Sequence, residues 1–152
     1  MSLTNGEKPK VANVPNGGVG AIAASSNVVT LGSNTNGATI YTAAATYGGR
    51  VMSLIASTDD TVTVNVYLYI LNGATVKPLG LVNIPLSSGN TQAAKLVVDF
   101  LDGVAIPGLP IDNAGKRYIP LMGGEVLKCG SLAGLTAAKT CFVTAIGMDY
   151  QA

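Results

Sequence analysis

The sequence predicts an all-β, mainly antiparallel fold: a jelly-roll-like β-sandwich with one short helix and an extended N-terminal arm. Three observations predict it. Short runs rich in β-branched residues recur at intervals of about ten residues, separated by Gly, Pro, Asn and Asp, which is the cadence of sandwiches and jelly rolls. The run Thr61–Leu71 alternates strictly, with Val62, Val64, Val66, Leu68 and Ile70 on one parity and Thr61, Thr63, Asn65, Tyr67 and Tyr69 on the other. A period of two marks a half-buried strand. Helical spacing, by contrast, is confined to one segment, Thr91–Leu101, and the 152 residues are enough for a single core and no more.

Taken in order, residues 1–22 carry Gly6, Pro9, Pro15, Gly17, Gly18 and Gly20 with few large apolar groups, a composition that cannot bury enough surface to order itself. This is the expected arm, either a loose tail or a segment ordered along a neighbouring subunit. Residues 23–152 form the sandwich domain. Strands are expected at Val28–Leu31, Ala38–Thr42 and Arg50–Ala56. The alternating strand then runs into Asn72-Gly73, a pair suited to a two-residue hairpin of the primed type. Pairing across it places Val66 near Leu79, Val64 near Leu81 and Pro78 opposite Tyr67. Proline offers no ladder donor, so the return strand is expected at a sheet edge or with a bulge. Tyr67 and Tyr69 lie on the polar face, as ordinary surface tyrosines or as a partner-facing patch.

The helix is expected from Thr91 to Leu101, capped by Ser88 or Asn90 and ended by Asp102-Gly103, with Ala93, Leu96, Val97, Phe100 and Leu101 at helical spacing. A proline-punctuated crossing, Ile106–Leu121, follows and ends in a short strand at Tyr118–Leu121. Glu125–Cys129 and Thr140–Tyr150 read as a closing antiparallel pair turning near Leu135. That pairing sets Cys129 nearly opposite Cys141, so a cross-strand disulfide fits geometrically. The N-terminus lacks the pattern of a secretion signal and the core needs no staple, which favours free thiols.

Composition excludes more than it assigns. Charged residues make up 11% of the chain, with nine basic and eight acidic side chains and a net charge of +1. A typical domain has about 25% charged residues. Such a balance gives no electrostatic footprint for nucleic acid and no polybasic membrane anchor. No apolar run approaches the length of a spanning helix, and two Phe and six Tyr are too few for the girdles of an outer-membrane barrel. Histidine is absent, so no Ser-His-Asp or Cys-His arrangement can form in one chain, and two cysteines alone make no zinc site. Paired carboxylates are the remaining catalytic option, from Asp59, Asp60, Asp99, Asp102, Asp112, Glu125 and Asp149, but several sit where aspartates make turns. Gly18-Val-Gly-Ala-Ile-Ala23 matches the skeleton of a dinucleotide fingerprint without its preceding strand or its ribose-binding acid. No enzymatic activity and no cofactor are expected.

The order Val98-Asp-Phe-Leu101, Ile106-Pro-Gly-Leu-Pro-Ile-Asp112, Asn113-Ala-Gly-Lys-Arg-Tyr-Ile-Pro-Leu121 and Val143-Thr-Ala-Ile-Gly-Met-Asp-Tyr150 resembles small virion proteins of tailed bacteriophages. These are β-sandwich head proteins that decorate or cement a capsid. The resemblance spans about residues 50–150. It implies a jelly-roll-like structural protein, assembled in the host cytoplasm and built into the virion, that contacts the major capsid protein and copies of itself, as a homo-oligomer such as a trimer. It carries over no catalytic residue.

A surface poor in salt-bridging side chains agrees with that expectation, because it suits burial in large, permanent contacts. The expected contact residues are Val11, Val14, Val19 and Ile22 in the arm and Tyr67 and Tyr69 on a sheet face. A phage tail or baseplate component shares the composition, and a surface adhesin or carbohydrate-binding module is a further alternative, weakened by the absence of Trp.

Overall fold

The computed structural model describes residues 11–23, 27–33, 36–89 and 97–151. Nine strands form among them: β1 (Val11–Ala23), β2 (Ala38–Thr42), β3 (Gly49–Thr58), β4 (Val64–Asn72), β5 (Thr75–Ile84), β6 (Val98–Asp99), β7 (Ile119–Leu121), β8 (Val126–Ser131) and β9 (Thr140–Gln151). They build two antiparallel sheets, sheet A in the order β1-β9-β3-β6 and sheet B in the order β2-β8-β4-β5. β7 also pairs with β3, at Gly49–Val51, while β6 pairs further along at Ile55 and Ala56, so together they make one interrupted edge. The first strand lies beside the last and the second beside the last but one, the nested order of a jelly roll.

Alternation explains the core. Val51, Leu54 and Ala56 of β3 and Cys141, Val143 and Ala145 of β9 point from sheet A towards Val64, Val66, Leu68 and Ile70 of β4 and Leu127 and Cys129 of β8. Ile22, Ile40 and Phe100 complete the same cluster. Full burial of each large side chain contributes about 1.5–3 kcal/mol. Val62, expected on this face, precedes the strand and is exposed, in a turn whose Val62 N donates to Asp60 Oδ1 at 3.2 Å.

The hairpin forms with a different register. Asn72 pairs with Thr75, so the turn is Gly73-Ala74, with Gly73 at φ +57°, which fits a type II′ turn with glycine first. Leu68 faces Gly80 while Tyr69 faces Pro78, leaving Leu79 as a bulged extra residue. Val66 therefore meets Val82 and Val64 meets Ile84, in place of Leu79 and Leu81. β5 is both an edge strand and bulged, as a strand holding Pro78 requires.

The other differences are topological. No helix occurs among the described residues. Residues 90–96 of the expected helix lie outside them, and Val98–Asp99 is a strand. Asp99 Oδ1 accepts from Leu101 N at 2.8 Å, and Phe100 N donates to Leu54 O at 2.9 Å. The carboxylate's local bond and the two adjacent valines favour extended chain, and Phe100 then plugs the core. β8 and β9 are not a hairpin, because they lie in opposite sheets. Val28–Leu31 makes only an isolated bridge, Val28 to Ser131. Residues 1–10 of the expected arm lie outside the described residues, whereas residues 11–22 belong to β1, paired with β9 along its length, so a boundary at residue 22 falls inside a strand.

Candidate interaction surface

The outer face of sheet A is assembled by register. Across β1, β9 and β3 run the rows Ala21-Phe142-Ser57, Val19-Thr144-Ile55, Gly17-Ile146-Ser53 and Pro15-Met148-Arg50. The inward partners Ile22, Val143 and Ala145 are buried, which fixes these rows as outward. Val19 is 56% exposed, Phe142 47% and Ile146 60%. The first three rows hold no charged side chain, and Arg50 closes the fourth. Val19, Phe142 and Ile146 are thus exposed on one face, interspersed with Ser57, Thr144 and Ser53, and Asp99 of β6 extends the second row beyond Ile55. β1 is also the sheet's edge, so among the described residues its outer backbone groups have no strand beside them.

The residues expected at a contact divide. Val19 lies on this face, and Val14 is half-buried beside a register shift in β1. Val11 opens β1 opposite Gln151. Ile22 is buried in the core. Tyr67 and Tyr69 are buried as well: their rings stack at 5.3 Å and 25°, and Val29, Leu71, Val76 and Leu132 cover them. The segment around Val29, held by a 2.9 Å bond from Val29 N to Ser131 O, roofs this part of sheet B. Phe142 and Ile146 were missed. Their signal was a β9 sequence apolar on both parities, the mark of a strand that covers a core and offers a second apolar face.

Polar side chains are used to hold the fold. Asp149 accepts from Tyr41 Oη at 2.9 Å and from Asn16 Nδ2 at 2.8 Å, and Asn16 also donates to Thr42 O, so one end of the sandwich is tied across the sheets. Burial, then the Asp149 carboxylate, pushes the Tyr41 phenol above its ordinary range. Asp60 is buried and accepts from Thr136 Oγ1 at 2.6 Å and Thr136 N at 2.9 Å. Burial opposes its charge, but these bonds outweigh it and hold the carboxyl below its usual range. Glu125 is likewise buried. Desolvation works against its charge, and contacts with Lys77 Nζ, Met122 N and Asn72 Nδ2 reverse the effect. Asp99, Asp102 and Asp112 each accept a bond from the backbone N–H two residues on, and Asp59 Oδ1 accepts from Thr140 N at the start of β9.

Cys129 and Cys141 are free and buried. Burial pushes the Cys141 thiol up to about 12 and that of Cys129 higher still. Neither has the thiolate character that metal binding or nucleophilic attack requires. No group of three or more metal-ligating side chains occurs among the described residues. Comparison with protein-family models, with curated proteins and with solved structures finds no match.

Proposed function

We propose that this chain is a non-enzymatic virion structural protein that decorates or cements a tailed-phage head, binding the major capsid protein and further copies of itself. The observation that carries this reading is the charge-poor outer face of β1, β9 and β3, with Val19, Phe142 and Ile146 exposed on it and β1 at the edge of the sheet. Such a face gains from being covered, at about 25 cal/mol per Å² of apolar surface removed from water. The jelly-roll order supports the reading, since capsid proteins recur on that architecture. So does the engagement of the described carboxylates in hydrogen bonds that hold turns or tie strands together.

The test is the mass of the purified chain by light scattering, with cryo-electron microscopy of particles that co-purify with it from its source. Density on the shell with sheet A turned towards a neighbour supports the proposal, and rings or tubes replace it with a tail component. Ile146→Asp should leave the circular dichroism unchanged and lower particle occupancy at least tenfold, because a charge in an apolar contact costs more than about 1.4 kcal/mol. Undiminished occupancy, or a monomer with no particle, refutes the proposal.

A further inference from the structure

Arg50 closes the fourth outward row, set on β3 between Met148 of β9 and Pro120 of β7. Its Nε is closed off from solvent without a hydrogen-bond partner, and its guanidinium makes no ion pair among the described residues. Cζ stands 5.8 Å from the centroid of the Tyr118 ring, a cation–π distance. The other arginine is committed elsewhere, with Arg117 Nη1 donating to Asp102 O at 3.1 Å. Beside Arg50 opens a cavity of about 440 Å³, lined by Arg50, Ile111, Asp112, Asn113, Ala114 and Tyr118. That volume lies within the range of small-molecule sites.

Arg50 lines this cavity with a guanidinium that makes no ion pair among the described residues, so its fork is available to an anionic acceptor that enters. We propose that Arg50 and Tyr118 form a binding site for a carboxylate group. The planar guanidinium matches a carboxylate with two parallel hydrogen bonds from its two Nη groups, while the enclosed Nε stays out of reach of a ligand. The Tyr118 ring beneath holds that plane. Asp112 fixes the far rim, its Oδ1 accepting from Ala114 N and Lys116 N at 2.9 Å each. A negative charge at Asp112, which lines the same cavity, opposes any anion there, and a phosphate dianion more than a monovalent carboxylate. Ile111 and Ala114 provide apolar contact for the stem that bears the group. The site does not depend on the virion reading, and its carboxylate can come from a sugar acid or from an acidic side chain of a docked protein.

The experiment uses the intact chain labelled with ¹⁵N, in which Arg50 and Arg117 are the only arginines. Glucuronate and N-acetylglutamate amide are titrated at constant ionic strength, with chloride and phosphate as controls. The Arg50 Nε–H resonance should shift saturably with the carboxylates while that of Arg117 stays in place. The backbone amides of Asn113 and Tyr118 report binding in the variants. Arg50→Gln, and Arg50→Lys, which keeps the charge and most of the packing, should bind at least about tenfold more weakly, and Arg117→Gln should bind as the parent does. The tighter of the two probes identifies the source of the carboxylate. No saturable shift, an equal shift with chloride, or undiminished binding by folded Arg50→Lys overturns the proposal.

Discussion

Gly18 and Gly20 determine how closely the two sheets approach at the β1 side. A Cβ on Gly18 would lie 2.2 Å from the backbone oxygen of Ile40, and one on Gly20 would press at 3.1 Å on both Cys129 Sγ and Ile40 Cγ1. Gly18→Ala should therefore destabilise the chain by about 1–3 kcal/mol in urea unfolding, the cost of forcing an atom into a packed interior. The sequence shows these glycines as a fragment of a nucleotide motif, since their real cause is the backbone of a strand twenty residues further on, which spacing cannot reveal. Tyr67 and Tyr69 were legible as strand residues and illegible as buried ones, because what roofs them is a loop with no period. The acids are easier to turn into predictions. Asp60 and Glu125 both have folded-state carboxyls held below their ordinary values, so their stabilisation is complete above those values and is lost on acidification. Thermal stability should fall as the pH drops below about 4.5, the ordinary glutamate value. Asp60→Asn should cost about 1.5–3 kcal/mol at neutral pH and flatten that acid limb, as followed by calorimetry.

Among elements, β1 shows most clearly where pairing overrides local preference. Glycines, Pro15 and Asn16 give it little intrinsic strand character, yet it pairs with β9 from Val11 to Ala23. Deleting residues 1–10 should leave the melting curve unchanged, whereas deleting residues 1–22 removes the strand, bares the edge of β9 and uncovers Ile40. The longer deletion should lose cooperative unfolding and aggregate on gel filtration. Strands with their own period, β4 above all, were readable, as was the hairpin after it, whose turn chemistry is local. The relation of β8 to β9 was not. Neighbouring apolar runs suggest a hairpin, but in a jelly roll the chain crosses from one sheet to the other between them, and only long-range pairing with β1 and β4 decides it. At its described end, residues 97–101, the helix reading failed for a similar reason, since Phe100 and Leu101 satisfy helical spacing and serve equally as a core plug after the two-residue strand Val98–Asp99.

At the scale of the molecule, one cluster joins both sheets, and both thiols are buried within it. A thiol reagent such as 5,5′-dithiobis(2-nitrobenzoate) should label neither cysteine in the native chain, and both should become reactive together in the denaturant range where the circular dichroism is lost. Labelling of one thiol ahead of that transition would indicate that the sandwich opens in parts. Pairing of the first strand with the last also has a mechanical consequence. Val11 lies opposite Gln151, and Ala23 opposite Thr140, so the outer ends of the two strands meet at one corner of sheet A. Tension applied through residues 11 and 151 peels β1 from β9 one hydrogen-bonded pair after another, like a zipper, because the bonds run across the strands and never share the load. A pull applied through residues 11 and 151 therefore meets little resistance, while pressure on the faces is borne by the whole interior.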